Sequence, residues 1–169
     1  MVDDRLRRRV LWSMPSGLYV VGSAAGSRAN LMTASLAIQV ATEPKLVAVA
    51  IDTAAVTRAL VAESGAFSLS LLSRRDRAVV RHFVKPVGEA EVVRRGGRIV
   101  SMGGEPVEVH ETGAPVLARA LAWLDCRVRH RLELGSHELF VGEVVAVGGP
   151  EGEVTEVLRM EDTRMSYGG

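Results

Sequence analysis

Neutral polar side chains recur along one charge-free stretch near the N-terminus and define the first candidate site. No residue between Ala29 and Thr42 is charged, yet hydroxyl and amide groups recur among apolar neighbours. These groups belong to Asn30, Thr33, Ser35, Gln39 and Thr42. Such side chains offer uncharged hydrogen bonds to a flat ligand. An ordinary edge strand with hydrated hydroxyls is the alternative interpretation.

A second candidate site surrounds Thr57, where the spacing of apolar residues changes from strand-like to helix-like. Leu60 and Val61 suit the inward face of a helix, and Gly65 suits the left-handed position that ends one. Thr57 is therefore predicted to be the N-cap of this helix. A capping hydroxyl beside unpaired helix N–H groups makes an anion site. The alternative is that Thr57 only caps the helix, a role worth about 1 kcal/mol.

The elements that would position these groups are mostly strands. Strands are predicted near residues 18–21, 31–37, 46–52 and 67–72. Helices are predicted near residues 3–12, with Asp3 or Asp4 as the cap, and near residues 55–65 and 73–83. Residues 124–134 alternate between apolar and charged side chains and turn at Gly135-Ser136 into a hairpin partner over 137–147. No regular element is assigned between 87 and 114. The predicted fold class is mainly β, a small antiparallel β-barrel with short helices.

Composition limits the function classes. The chain has 169 residues and a net charge of +1, so we predict a single domain, 1–169, without an overall field for nucleic acid or anionic membranes. Only 4% of the residues are aromatic, which disfavours a base-stacking surface. Cys126 is the only cysteine, which excludes an internal disulfide and a thiolate metal cluster. The histidines show no metal-ligand spacing.

Motifs of other function classes are missing from the sequence. There is no nucleophile elbow, phosphate-binding lysine loop or dinucleotide-binding glycine turn. The charge-free stretch is shorter than the ~20 residues of a membrane-spanning helix. The arginines near the N-terminus lead into Ser13, Pro15 and Gly17 and not into a secretory apolar core. We therefore predict a cytoplasmic protein.

The order of these segments resembles the flavin reductase-like family, which folds as an FMN-binding split barrel. The resemblance runs from about Arg9 to Gly148. It begins with the strand pair from Met14 to Pro44, continues through residues 45–52, 57–65 and 67–72, and reaches Arg81-His82-Phe83. It implies a six-stranded antiparallel split β-barrel with helical additions.

The resemblance also implies a set of cofactor-binding residues. Those carried over along the flavin are Asn30, Met32, Thr33, Ala34, Ser35, Gln39 and Val40, largely through main-chain groups. Those carried over at the phosphate end are Ala54, Ala55, Val56 and Thr57. His82 and Phe83 match an aromatic-bearing triplet that reaches the flavin, whereas cations at a helix end are the alternative. His137 matches a residue near the nicotinamide, although Ser136 stands where the family usually has Asp, and a turn histidine exposed to water is the alternative.

The implied activity is that of an NAD(P)H-dependent flavin reductase, in which hydride passes from NADH or NADPH to FMN or FAD. The cofactor performs this chemistry, so no catalytic side chain and no metal are expected. The resemblance also implies a homodimer with flavin at the subunit boundary, where the apolar face of residues 124–134 would pack, and a monooxygenase partner that receives reduced flavin. Two alternatives stay open. One is a flavin-binding electron-transfer protein without a nicotinamide site, and the other is a split-barrel binding module without enzymatic activity.

Overall fold

The computed structural model describes residues 3–165, and strands dominate them. The helices are α1 (Asp4–Trp12), α2 (Val56–Ser64) and α3 (Val79–His82). The strands are β1 (Tyr19–Ala25), β2 (Arg28–Ala34), β3 (Ala37–Thr42), β4 (Lys45–Asp52), β5 (Ala66–Leu71), β6 (Val92–Arg95), β7 (Arg98–Met102), β8 (Glu105–Val109), β9 (Pro115–Leu117), β10 (Ala122–Glu133) and β11 (His137–Gly148). Within residues 3–165, no helix has the length and apolar character to cross a bilayer.

Seven strands form one antiparallel sheet whose shape follows from its strand order, β2-β1-β5-β10-β11-β4-β3. The edge strands β2 and β3 are consecutive in the chain, with only Ser35 and Leu36 between them. Such a link spans at most about 11 Å, so the two edges must lie close together. The sheet therefore curls into a split barrel. The predicted mainly β, split-barrel fold is confirmed, with seven strands in this sheet in place of the six expected.

A second, four-stranded antiparallel sheet, β6-β7-β8-β9, lies in the region where the sequence predicted no regular element. Gly96 and Gly97 connect β6 to β7, and Gly103 and Gly104 connect β7 to β8, all with positive φ. Two-residue hairpin turns need this backbone conformation, which glycine adopts without strain. The glycine pairs were hairpin signals, but the short strands between them contain too few apolar residues to show a period.

Two clusters of buried side chains stabilise the fold. One includes Leu18, Leu72 and Phe83, and the other includes Phe67 and Phe140. The ring of Phe67 packs against Gly142, where an added Cβ would lie 2.6 Å from the nearest ring carbon. Only glycine leaves room for this ring. The segment after the last strand also joins the core, since Leu158 is fully buried and its N–H donates to the Leu72 carbonyl.

The structure confirms some local predictions and corrects others. Asp3 caps α1, and Gly65 ends α2 in the left-handed conformation, as predicted. The continuous helix predicted over 73–83 is wrong, because a 3-10 turn, Arg74–Asp76, precedes the short α3. At its start, the Arg74 N–H donates to the Glu156 carbonyl at 3.0 Å. This contact joins the start of the turn to the segment after the last strand.

The predicted alternation along β10 holds only in part. Asp125 and Cys126 are both buried, because a bulge between them shifts the register against β11. Pairing with β5 ends at Arg127, and His130 and Leu132 beyond it are exposed. A second bulge lies between Val128 and His130, so the expected apolar face over residues 124–134 is interrupted twice, although Leu124 lines an apolar groove on the seven-stranded sheet.

Candidate functional site

The start of α2 presents free main-chain donors. Ala55 is the N-cap and makes no side-chain capping bond. The Ala54 N–H donates to Asp52 Oδ1 at 2.8 Å, and the Ala55 N–H donates to the Asp52 carbonyl at 3.0 Å. Within residues 3–165, the N–H groups of Val56 and Thr57 have no acceptor. Val56 is 46% exposed whereas Thr57 is fully buried, so the Val56 donor and the positive end of the helix dipole suit an anion.

Thr57 does not have the predicted capping role. Its side chain is fully buried at the second position of α2, and its Oγ1 accepts a hydrogen bond from Asn30 Nδ2 at 2.8 Å. The N-cap prediction is wrong because tertiary packing draws the hydroxyl toward β2, which leaves the cap to Ala55. The two stretches that the sequence singled out nevertheless meet, at Asn30 and Thr57.

Thr33 links β2 to the segment that contains α3. Its N–H donates to the Phe83 carbonyl at 2.9 Å, and its hydroxyl donates to the Val80 carbonyl at 2.5 Å. The Phe83 ring is fully buried in the core, so it cannot be the ring that reaches a ligand in this structure. His82 is exposed beside it, with the two ring centroids 6.4 Å apart.

The other residues that the resemblance places along the flavin ring lie on or next to two strands, β2 and β3. Met32 packs against the core, and Ala34 and Ser35 are buried. Contact with a ligand beside β2 therefore falls mainly to main-chain groups. Gln39 and Val40 lie on β3, across the split, where Val40 is bulged out of the pairing with β4. The Gln39 amide donates to the Ala41 carbonyl at 3.1 Å. No hydrogen bond in the described residues joins these two to Thr57.

The turn between β10 and β11 lies against the loop that precedes α2. The Ser136 carbonyl accepts from the Thr53 N–H at 3.0 Å, and His137 is the pairing partner of Asp52. The Ser136 Oγ lies 2.9 Å from His137 Nδ1. Serine at this position therefore still orients the imidazole, and the structure brings His137 to the same end of the molecule as Ala54 and Ala55.

A buried carboxylate between two arginines was missed by the sequence reasoning. Glu138 is 1% exposed, and its two oxygens accept from Arg58 Nε and Arg131 Nε, each at 2.6 Å. The sequence signal was an acidic residue at an inward position of a strand, in alternation with Phe140 and Gly142. Because Arg58 belongs to the first turn of α2, this charged triad connects the helix to β11.

The hydrogen bond from Arg131, supported by Arg58, holds the pKa of the Glu138 carboxyl below its usual value. Because the pKa of Glu138 is lower in the folded protein than in the unfolded chain, the ionised carboxylate stabilises the fold. This stabilisation is present above the unfolded pKa of about 4.3 and is lost as pH falls through the folded pKa. We expect Glu138→Gln to lower the free energy of unfolding by about 1.5–3 kcal/mol at neutral pH. The difference in free energy of unfolding between Glu138→Gln and wild type should narrow below about pH 4.

Chemical denaturation across this pH range measures the effect. Glu63→Gln is the matched control, because Glu63 forms an ion pair with Arg28 in which both side chains are about half exposed. It should change the free energy of unfolding by less than about 0.5 kcal/mol. A gap between Glu138→Gln and wild type that stays constant with pH would contradict the charged triad.

An apolar groove of about 290 Å³ lies on the seven-stranded sheet. Its main apolar lining is Ile38, Leu46, Leu71, Leu124, Val144 and Val147. Gln39 is the one predicted site residue on its wall. Ile38 is 69% exposed and Val147 is 63% exposed, which is unusual for aliphatic side chains in a cluster.

Comparison with known proteins decides the family. The sequence model of the flavin reductase like domain matches residues 11–168. The chain belongs to this family. An NADH-dependent FAD reductase of Streptomyces globisporus is 32% identical to this flavin reductase-like protein over 146 residues, covering 84% of this chain and 75% of that protein. An NADPH-flavin oxidoreductase of Streptomyces viridifaciens is 31% identical over 156 residues, covering 89% and 76%.

Solved structures agree with the flavin reductase-like family. An NADH:FAD oxidoreductase of Streptomyces globisporus superposes with a TM-score of 0.72 at 30% identity, covering 88% of this chain and 86% of that chain. The flavin reductase component of a bacterial two-component tryptophan halogenase has a TM-score of 0.73 at 25% identity, covering 89% of each chain. The predicted family is confirmed, and the match extends beyond Gly148, where the resemblance was expected to end.

Proposed function

We propose that this chain is an NAD(P)H-dependent flavin reductase that uses FMN or FAD. The observation that carries the proposal is the start of α2, where the exposed Val56 has an N–H group without an acceptor in the described residues, next to the edge strand β2. Family membership supports the activity, and so do relatives named as an NADH-dependent FAD reductase and an NADPH-flavin oxidoreductase. The chain is accordingly an oxidoreductase.

The donor set at the start of α2 fits the phosphate end of a flavin. The N–H group of Val56 and the positive end of the helix dipole would hold it, beside Ala54 and Ala55, whose own N–H groups donate to Asp52. Arg58 follows in the same turn, but its Nε is committed to Glu138. In this proposal the main-chain donor and the helix dipole supply the anion contacts, and the charged triad holds the helix that carries them.

The main chain at Thr33, Ala34 and Ser35 would lie along the flavin ring, with Gln39 and Val40 approaching from across the split and His82 from the end of α3. Bound flavin supplies an acceptor for the hydride of the nicotinamide, so the protein's part is to hold both rings and exclude water. His137, oriented by Ser136, lies beside the loop before α2 and would contact the nicotinamide nucleotide. Neutral imidazole can hydrogen-bond its carboxamide or phosphate.

A second copy of the chain covers the apolar groove in this proposal. A homodimer of this kind gives the exposed Ile38 and Val147 a partner and removes an apolar patch from water.

Reduced flavin would then leave for a separate monooxygenase, in keeping with the structural neighbour that is the reductase component of a two-component halogenase. The cytoplasmic location stays a prediction from the sequence.

Purified protein given FMN or FAD is expected to oxidise NADH or NADPH, which is measured as the loss of the absorbance of the reduced nicotinamide. Separate reactions with each nicotinamide and each flavin identify the preferred pair. Bound flavin that neither nicotinamide reduces under anaerobic conditions would point to an electron-transfer protein. Absence of flavin binding at micromolar concentrations, where binding is worth about 8 kcal/mol, would point to a non-enzymatic binding module.

A further inference from the structure

Asn30 makes a buried connection among three parts of the fold. Its side chain is on β2, and the residue is 2% exposed. Nδ2 donates to Thr57 Oγ1 on α2 at 2.8 Å, and Oδ1 accepts from the Val87 N–H at 2.8 Å. Because a main-chain N–H can only donate, the Val87 contact fixes which end of the amide is the oxygen. Both ends of the side chain are therefore engaged by protein.

We propose that Asn30 is a positioning residue for flavin binding, and not the flavin ligand that the sequence predicted. This inference rests on the proposed function. Asn30 acts through Thr57 and Val87 to set the position of the α2 donors relative to the edge of β2. Those two elements are the ones proposed to bind the phosphate end and the ring of a single flavin.

The same part of the fold contains a second link between β2 and its neighbours. Thr33, on the same strand, donates to the carbonyls of Val80 and Phe83, which precede Val87 in the chain. The segment from α3 to Val87 is therefore attached to β2 at two points, through Thr33 and through Asn30. Loss of the Asn30 amide removes its hydrogen bond to α2 and one of these points together, whereas the Val56 N–H remains available.

The chain offers a closely matched control for this connection. Ser23 is the residue directly opposite Asn30 in the pairing of β1 with β2, and it is fully buried. Its Oγ donates to the Ala66 carbonyl at 2.8 Å and lies 3.2 Å from Ser64 Oγ, at the far end of α2. Ser23→Ala therefore removes a buried hydrogen bond near the same helix, but away from the proposed phosphate site.

The test measures FMN dissociation constants by fluorescence quenching, kcat and KM for FMN, and thermal unfolding, for five proteins. They are wild type, Asn30→Ala, Thr57→Val, Thr57→Ser and Ser23→Ala. We expect Asn30→Ala and Thr57→Val to raise the dissociation constant and KM about five- to tenfold while kcat changes less than about twofold. Thr57→Ser keeps the hydroxyl and should bind within about twofold of wild type. Ser23→Ala should lose thermal stability and keep its affinity for FMN.

Two results would overturn the positioning role: unchanged FMN affinity in Thr57→Val, or an equal loss of affinity in Ser23→Ala for the same loss of thermal stability. The comparison of Thr57→Val with Thr57→Ser tests the positioning role even if Asn30→Ala fails to fold. Failure of the wild-type protein to bind flavin would overturn the proposed function itself, and that result is seen before any variant is compared.

Discussion

An aspartate in place of Ala55 is expected to stabilise the free protein and to weaken FMN binding about thirtyfold. Ala55 has the extended backbone of an N-cap residue but no side chain that can cap. A carboxylate there would accept from the N–H of Thr57 or Arg58 and add about 1 kcal/mol of stability. The same carboxylate repels the flavin phosphate and competes for its donors, a loss of about 2 kcal/mol in binding.

Thermal unfolding without flavin and a fluorescence titration with FMN measure the two effects. Ala55→Asn is the matched control, since it caps equally well but carries no charge. It should stabilise the free protein by a similar amount and weaken binding only about threefold. Equal FMN affinity in Ala55→Asp and wild type would mean that the phosphate lies away from the start of α2.

A glutamate in place of Ile38 is expected to raise the dimer dissociation constant about a thousandfold. Ile38 lines the apolar groove and is 69% exposed in the single chain. Burying an isoleucine contributes about 1.5–3 kcal/mol, and a two-fold axis places the substitution at the interface twice. The combined loss is about 4 kcal/mol before the cost of a buried carboxylate is added.

Analytical ultracentrifugation at several concentrations measures the change in association. Val93→Glu is the control, because Val93 is also an exposed strand residue but belongs to the four-stranded sheet and does not line the groove. It should leave the dimer intact. A wild-type protein that is monomeric at micromolar concentrations would contradict the homodimer, and flavin binding would remain to be tested by itself.

The family and the fold class could be predicted from the sequence, because their signals are local. Alternation indicated the hairpin of β10 and β11, and Gly65 and Asp3 marked helix ends that the structure confirms. The charge-free stretch and the segment before α2 were recognised by residue type and order. The cofactor contacts themselves stay a prediction.

Hydrogen bonds between residues far apart in the chain are determined only by the tertiary structure. Asn30 and Thr57 are separated by 27 positions, and Arg58 and Glu138 by 80. No local periodicity in the sequence indicates such a pair, because the two side chains meet only after the strands are in register and the helix is packed. For this reason Thr57 was assigned to a cap that Ala55 occupies, and the buried Glu138 was missed. The sequence by itself determined which groups are candidates for contact with a flavin. The packing of α2 against β1 and β2, and its ion pair with β11, decided which of these candidates are buried or bonded within the protein.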